Sequence, residues 1–232
     1  MQRVVQGVES VDEQILAALC ERMAERIPGF AIHYKDESRQ QRLLGWLLRP
    51  FVAGYMRDYT TAIYPRVYFP TRADVQKYPR MAWQTLAHEY VHLWDAKQSR
   101  WRFSLGYLMP QLAVLGALGA VSAWWTPWGW LFLLFLLALA PWPAPWRTWT
   151  EVRGYTMDLC ISYWLRKEMP TWGGIRRLFT GWAYYRMCPS ADRVDAHFDR
   201  AMRRVAAQGL PFSDDDVPFV DVRAILADNG LG

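Results

Sequence analysis

Two histidines four residues apart enclose a glutamate in His88-Glu89-Tyr90-Val91-His92. On a helix such a spacing puts both imidazoles on one face, where they can grip a single ion. Glu89 falls beside them. Zinc lowers the pKa of a bound water to about 7, and a free carboxylate can take the proton as that water attacks a carbonyl. The chemistry expected is therefore Zn2+-dependent hydrolysis, with His88 and His92 as ligands and Glu89 as general base. Zinc is preferred over other divalent ions on ligand type.

A catalytic zinc needs a third protein ligand and an open fourth position. Glu151, in Thr150-Glu151-Val152-Arg153-Gly154-Tyr155, is the expected third ligand; the plainer reading is a carboxylate stabilising a helix N-terminus. Asp95 lies seven residues after His88 on the same face. It could ligate, although support of an imidazole by hydrogen bonding fits it better. Asp158 could give the same support from the facing helix. Stabilising an oxyanion needs a tyrosine, histidine or arginine close to the ion. Tyr155, Tyr185, Arg186 and His197 are candidates that the sequence does not rank, and His197 also reads as an ordinary structural histidine.

These residues need elements to hold them. Val11, Ile15, Leu19, Met23 and Ile27 recur at helical spacing before Pro28-Gly29. Residues 30–34, 59–64 and 66–69 read as short strands, rich in β-branched and aromatic residues. A strand edge beside a metal helix can hold an extended peptide by backbone pairing. Residues 81–98 form the helix of the histidine motif. Helices are expected over 150–168 and 175–187, and another between Ser190 as N-cap and Gly209 as stop. The basic, apolar run Arg42–Arg49 reads equally as a membrane-surface helix or a core helix.

From Phe103 to Trp146 the chain has no charged residue and no histidine. That length allows two spans of roughly 20 residues, with the turn at Thr126-Pro127-Trp128-Gly129. Tryptophans gather at its ends and turn, as in an interfacial belt. Gly116 and Ala120, four apart, would let the arms approach closely. Arg100, Arg102, Arg147 and Arg153 flank the block and place both ends on the cytoplasmic side.

The expected partners are membrane lipid through residues 103–146 and a peptide or membrane-protein substrate. A larger assembly shielding the hairpin is the alternative. The excess of 27 Lys+Arg over 22 Asp+Glu, net +5, suits anionic headgroups. No basic stripe interleaved with aromatics is present, so nucleic acid is not expected. Residues 1–7 lack the apolar run of a signal peptide, so membrane contact is expected from within the chain. Cys20, Cys160 and Cys188 suggest no disulfide framework.

Two histidines of H-E-x-x-H followed by a distant glutamate resemble the gluzincin metallopeptidases. The order of parts, with an apolar hairpin between metal helix and glutamate helix, resembles membrane metalloproteases of the HtpX and CAAX-protease type. The likeness covers about residues 59–165 and implies His88, His92 and Glu151 as ligands with Glu89 as base. That family usually has earlier spanning helices, and an aspartate where this chain has Tyr155. The run through Thr60, Tyr68, His88, Asp95 and Tyr107 is also similar to uncharacterised H-E-x-x-H proteins of bacteriophages, which makes a virion protein with a structural zinc the alternative.

The expected fold is α+β and mostly helical: a zincin-like core with an inserted hairpin. Residues 1–102 carry the strands and the metal helix, 103–146 the hairpin, 147–210 the helices with the third ligand, and 211–232 an acidic tail.

Overall fold

The computed structural model describes residues 10–49, 52, 54–109, 111–140, 142–182, 186–213 and 216–231. The fold is α+β and mostly helical, with one small three-stranded sheet.

Helix α1 (Val11–Arg26) begins at a capping box. The Glu13 amide donates to Ser10 Oγ, and Glu13 Oε2 accepts from the Ser10 amide at 2.7 Å. Its apolar stripe, Ile15, Leu19 and Met23, is buried against α4 (Pro79–Gln98). Trp83 of α4 donates its indole N–H to Asp12 at 2.8 Å, which fixes the pair at one end. Proline at the first position of α4 supplies a preset φ where no amide donor is needed.

Strands β1 (Ala31–Tyr34), β2 (Thr61–Ile63) and β3 (Arg66–Phe69) form a sheet of order β1-β3-β2. β3 lies in the middle, parallel to β1 and antiparallel to β2. It contributes Val67, Tyr68 and Phe69 to the interior. β2 is an edge strand joined to β3 through a cis Tyr64–Pro65 bond. Between β1 and β2, helix α2 (Arg39–Leu48) turns Gln41 and Gly45 inward and leaves Leu43, Trp46 and Leu47 exposed. α3 (Arg72–Lys77), capped by Thr71, leads into α4.

After α4 the chain runs through α5 (Arg100–Leu108) into two apolar arms, Gln111–Trp124 and Pro127–Leu139, both 3-10 helices. Three residues per turn give a three-residue stripe. Gly116 and Gly119 accordingly face Phe135 and Phe132, so closely that a Cβ at either glycine would overlap a ring. The close approach expected at Gly116 is made there, and Gly119, one three-residue turn on, makes a second. At about 2 Å rise per residue, arms of 14 and 13 residues extend to roughly 26–28 Å, close to the ~30 Å hydrocarbon thickness of a bilayer. Among the described residues no single helix is long and apolar enough to cross a membrane, and α5 with the first arm forms a bent pair that could by length and composition.

α6 (Pro145–Arg166) returns to the core and packs on α4. α7 (Gly173–Thr180) stops at Gly181, earlier than expected. α8 (Ala191–Gln208) begins at a Ser190 cap and ends at Gly209 with φ 82°, as its sequence signals. The acidic tail carries a further helix. Residues 217–228 form α9 (Val217–Asp228), whose Phe219, Val222, Ile225 and Leu226 are buried. Asp221 of α9 accepts from Arg22, Arg26 and the Tyr90 hydroxyl, so the tail is bolted to α1 and α4.

Two of the four arginines read as flanking charges are structural. Arg153, its side chain 11% exposed, lies between Asp95 and Asp216, at 3.0 and 2.8 Å. Arg147 is 9% exposed and donates to the Tyr107 carbonyl at 2.8 Å. Arg100 and Arg102 remain exposed.

Candidate metal centre

α4 and α6 lie against each other, and the residues between them alternate in chemistry by helical turn. From α4 come His88 and His92. From α6 come Glu151, Gly154, Tyr155 and Asp158, spaced three, four and seven residues apart and therefore on one face. The ligand atoms of His88, His92 and Glu151 lie within 4.8 Å of one another. A tetrahedral ion with ligands at roughly 2.0–2.2 Å needs its donors about 3.4 Å apart. The three side chains already converge and would draw in by about an ångström or so.

Each has a setting that suits a ligand. His88 Nδ1 is 2.9 Å from Asp158 Oδ2, which orients the ring and leaves Nε2 toward α6. That nitrogen sits over Gly154, where a Cβ would stand 2.5 Å from it. Only a residue without a side chain admits the ring there. His92 is buried, and its Nδ1 has no hydrogen-bond partner. A buried ring nitrogen left unpaired costs free energy that an ion could recover. Glu151, two turns inside α6, is 3% exposed; its Oε1 accepts from the Tyr107 hydroxyl at 2.6 Å. A capping role for Glu151 is therefore excluded by its position.

The electrostatics follow from burial and from the crowd of carboxylates. Burial disfavours charge on His88, but Asp158, Glu89 and Glu151 outweigh it, so the metal-free ring holds its proton up to about 9. Burial, helped by the charges of His88 and Arg153, pushes His92 well down and keeps it neutral. Burial raises Glu89 to about 7, opposed mainly by His88. A carboxylate poised there suits proton transfer near neutral pH. Burial also raises Glu151. An ion bound by His88 would have to displace that proton, which would couple its uptake to pH.

The other expected residues separate cleanly. Asp158 supports an imidazole. Asp95 does not: it accepts from Arg153 Nε at 3.0 Å, because that guanidinium is the nearer, desolvated partner. Tyr155 packs edge-on against the His88 ring, centroids 5.0 Å apart, at the mouth of the site. Arg186 and His197 are both exposed and lie outside the cleft. Tyr185 falls outside the described residues. Two contributors went unassigned in the sequence, Tyr107 and Gly154. A glycine in the middle of a helix, three residues from a candidate ligand, is a signal of close approach; a hydroxyl inside an uncharged run needs a partner.

A cleft of about 590 Å³ opens from His88 and Glu89 along the two helices. Its roof is the 58–60 segment leading into edge strand β2. No family model matches the chain, and no match to a curated protein or a solved structure was found.

Proposed function

We propose that this protein is a membrane-associated zinc metalloendopeptidase with a gluzincin-like site on a zincin-like core. The observation that carries the reading is the convergence of His88, His92 and Glu151, with His88 and Glu89 lining one end of a cleft. Two imidazoles and one carboxylate, three protein ligands in all, are the donor set of a catalytic and not a closed structural zinc site. The unpaired His92 Nδ1 fits the same ion.

When bound, zinc would supply Lewis acidity to a water and to the scissile carbonyl. The chain's own residues do the rest. Asp158 holds His88 in the tautomer that offers Nε2. The Tyr107 hydroxyl occupies one lone pair of Glu151 and fixes the direction of the other oxygen. Glu89 receives the water's proton on its carboxylate and returns it to the leaving amine. Tyr155, against the His88 ring, is the candidate donor to the developing oxyanion. β2, whose outer edge is unpaired within the sheet, would hold the substrate backbone extended above the cleft.

Association with a bilayer rests on the hairpin. Trp124, Trp125, Trp128 and Trp130 are 64–89% exposed at its turn, an exposure that suits the headgroup region. Since Tyr107 and Arg147 tie its root to Glu151, the site would lie close to the lipid surface, with peptide segments of membrane proteins as its substrates. A cytoplasmic orientation rests on Arg100 and Arg102 alone.

The test is Glu89→Gln. The variant should bind zinc as the wild type does and lose peptide hydrolysis. Retained hydrolysis would refute Glu89 as base, and zinc without hydrolysis in the wild type would favour a structural site in a virion or membrane protein.

A further inference from the structure

The cleft runs in one direction only. On α4 its lining goes from His88 back to Thr85, Gln84 and Met81; on α6 it goes from Asp158 forward to Ile161 and Leu165. The helices are antiparallel, so these two series rise together, away from the root of the hairpin. Seven residues of helix at about 1.5 Å each put Met81 roughly 10 Å from His88. An extended chain covers that distance in about three residues.

The chemistry of the far end differs from that of the metal end. Ile161, Leu165 and Leu178 form an apolar floor there, with Met81 on the facing helix. At its rim stand Arg80 and Arg166, both exposed, and neither pairs with a carboxylate among the described residues. Asp58 is the remaining rim carboxylate, and it is folded back over its own turn: a Cβ at Gly54 would overlap its carboxyl group. Carboxylates thus concentrate at the metal and guanidinium groups at the distant rim.

Building on the peptidase reading, we propose that the far end of this cleft is a specificity subsite for a large apolar side chain about three residues from the scissile bond, followed by a carboxylate. The apolar floor takes the side chain out of water, and Arg80 and Arg166 receive the anion at the exit. The carboxylate is either an acidic side chain or the free C-terminus of the peptide. Substrates are therefore water-exposed segments that enter on the side of the metal away from the hairpin.

Binding tests this without turnover. The full chain in detergent, carrying Glu89→Gln and loaded with zinc, is titrated with fluorescent peptides and read by anisotropy. Peptides with leucine at the subsite position should bind roughly tenfold or more tighter than those with alanine, given the area a leucine buries. Glutamate in the next position should be preferred over lysine, and Arg80→Glu with Arg166→Glu should reverse that order. Amidated peptides distinguish the two anions: weaker binding on amidation identifies a C-terminal carboxylate, and unchanged binding an acidic side chain. Equal binding of the leucine and alanine peptides, or a charge preference unmoved by the arginine substitutions, overturns the subsite. Zinc-free protein reads the subsite in the same way, so failure of the peptidase reading shows separately, as absent zinc or absent cleavage.

Discussion

Replacing Gly154 by alanine should separate the metal site from the fold that carries it. A Cβ at that position would stand 2.5 Å from His88 Nε2, 2.8 Å from Cε1 and 2.9 Å from Cδ2. Carbon contacts normally settle at about 3.5–4.0 Å, so the ring must retreat by roughly an ångström. It has little freedom to do so: Asp158 holds Nδ1 at 2.9 Å, and the His92 and Tyr155 rings pack on its faces and edge. Zinc ligands tolerate displacement of only about 0.2 Å. We expect zinc affinity to fall at least tenfold to a hundredfold, about 1.4–2.7 kcal/mol. Stability of the metal-free protein moves little. Alanine favours the helix over glycine by about 1 kcal/mol, which offsets much of the ~1–3 kcal/mol of crowding. Titration in zinc buffers, with thermal unfolding of the metal-free proteins alongside, reads both quantities. Gly174→Ala, where nothing lies within 4 Å, serves as control. Wild-type zinc affinity in Gly154→Ala would refute the placement of the His88 ring.

Three further outcomes follow from the same geometry. Tyr107→Phe removes the donor to Glu151 and should weaken zinc binding about 10-fold to 100-fold, measured by competition with a chromogenic chelator. Lys35 is fully buried, donates to the Tyr55 carbonyl at 2.7 Å and is pushed down to about 8 by burial, with Glu89 opposing. Its unfolded value is higher, so the unfolded state binds the extra proton between about pH 8 and pH 10.5, and stability should rise with pH across that window by up to about 3 kcal/mol. Urea unfolding of wild type and Lys35→Met at pH 7 and pH 9.5 checks this; the wild type should gain relative to the variant. Asp221→Ala leaves the buried Tyr90 hydroxyl without its acceptor and removes the partner of the half-exposed Arg22 and Arg26, and should cost about 1–3 kcal/mol, read by the same method.

What the sequence made legible is whatever had a local signal. The turn of helix between His88 and His92, the Ser190 cap, the Gly209 stop and the strand pair around Pro65 each follow from residues next to one another. Glu151 could be chosen because so few acidic residues follow the apolar block closely. Its partner Tyr107 was not, because a bond across 44 positions leaves no periodicity. Asp95 shows the limit from the other side. Its spacing from His88 fits an imidazole partner, but Arg153 on another helix competes for it, and only the packing of α6 on α4 reveals the competitor. The helix in the tail was hidden for a related reason: its apolar residues need α1 and α4 in place before their burial makes sense. In the hairpin the composition was clear and the helix type was not, since a four-residue and a three-residue repeat differ only in which glycine meets which ring.

X-ray absorption at the zinc edge on the purified full chain goes to the centre of the account. We expect about one zinc per chain, with two imidazole nitrogens at about 2.0–2.1 Å and a carboxylate oxygen at about 2.0–2.2 Å, and loss of the oxygen scatterer in Glu151→Ala. A chain that takes up no zinc, or one whose metal shell lacks imidazole, would contradict it.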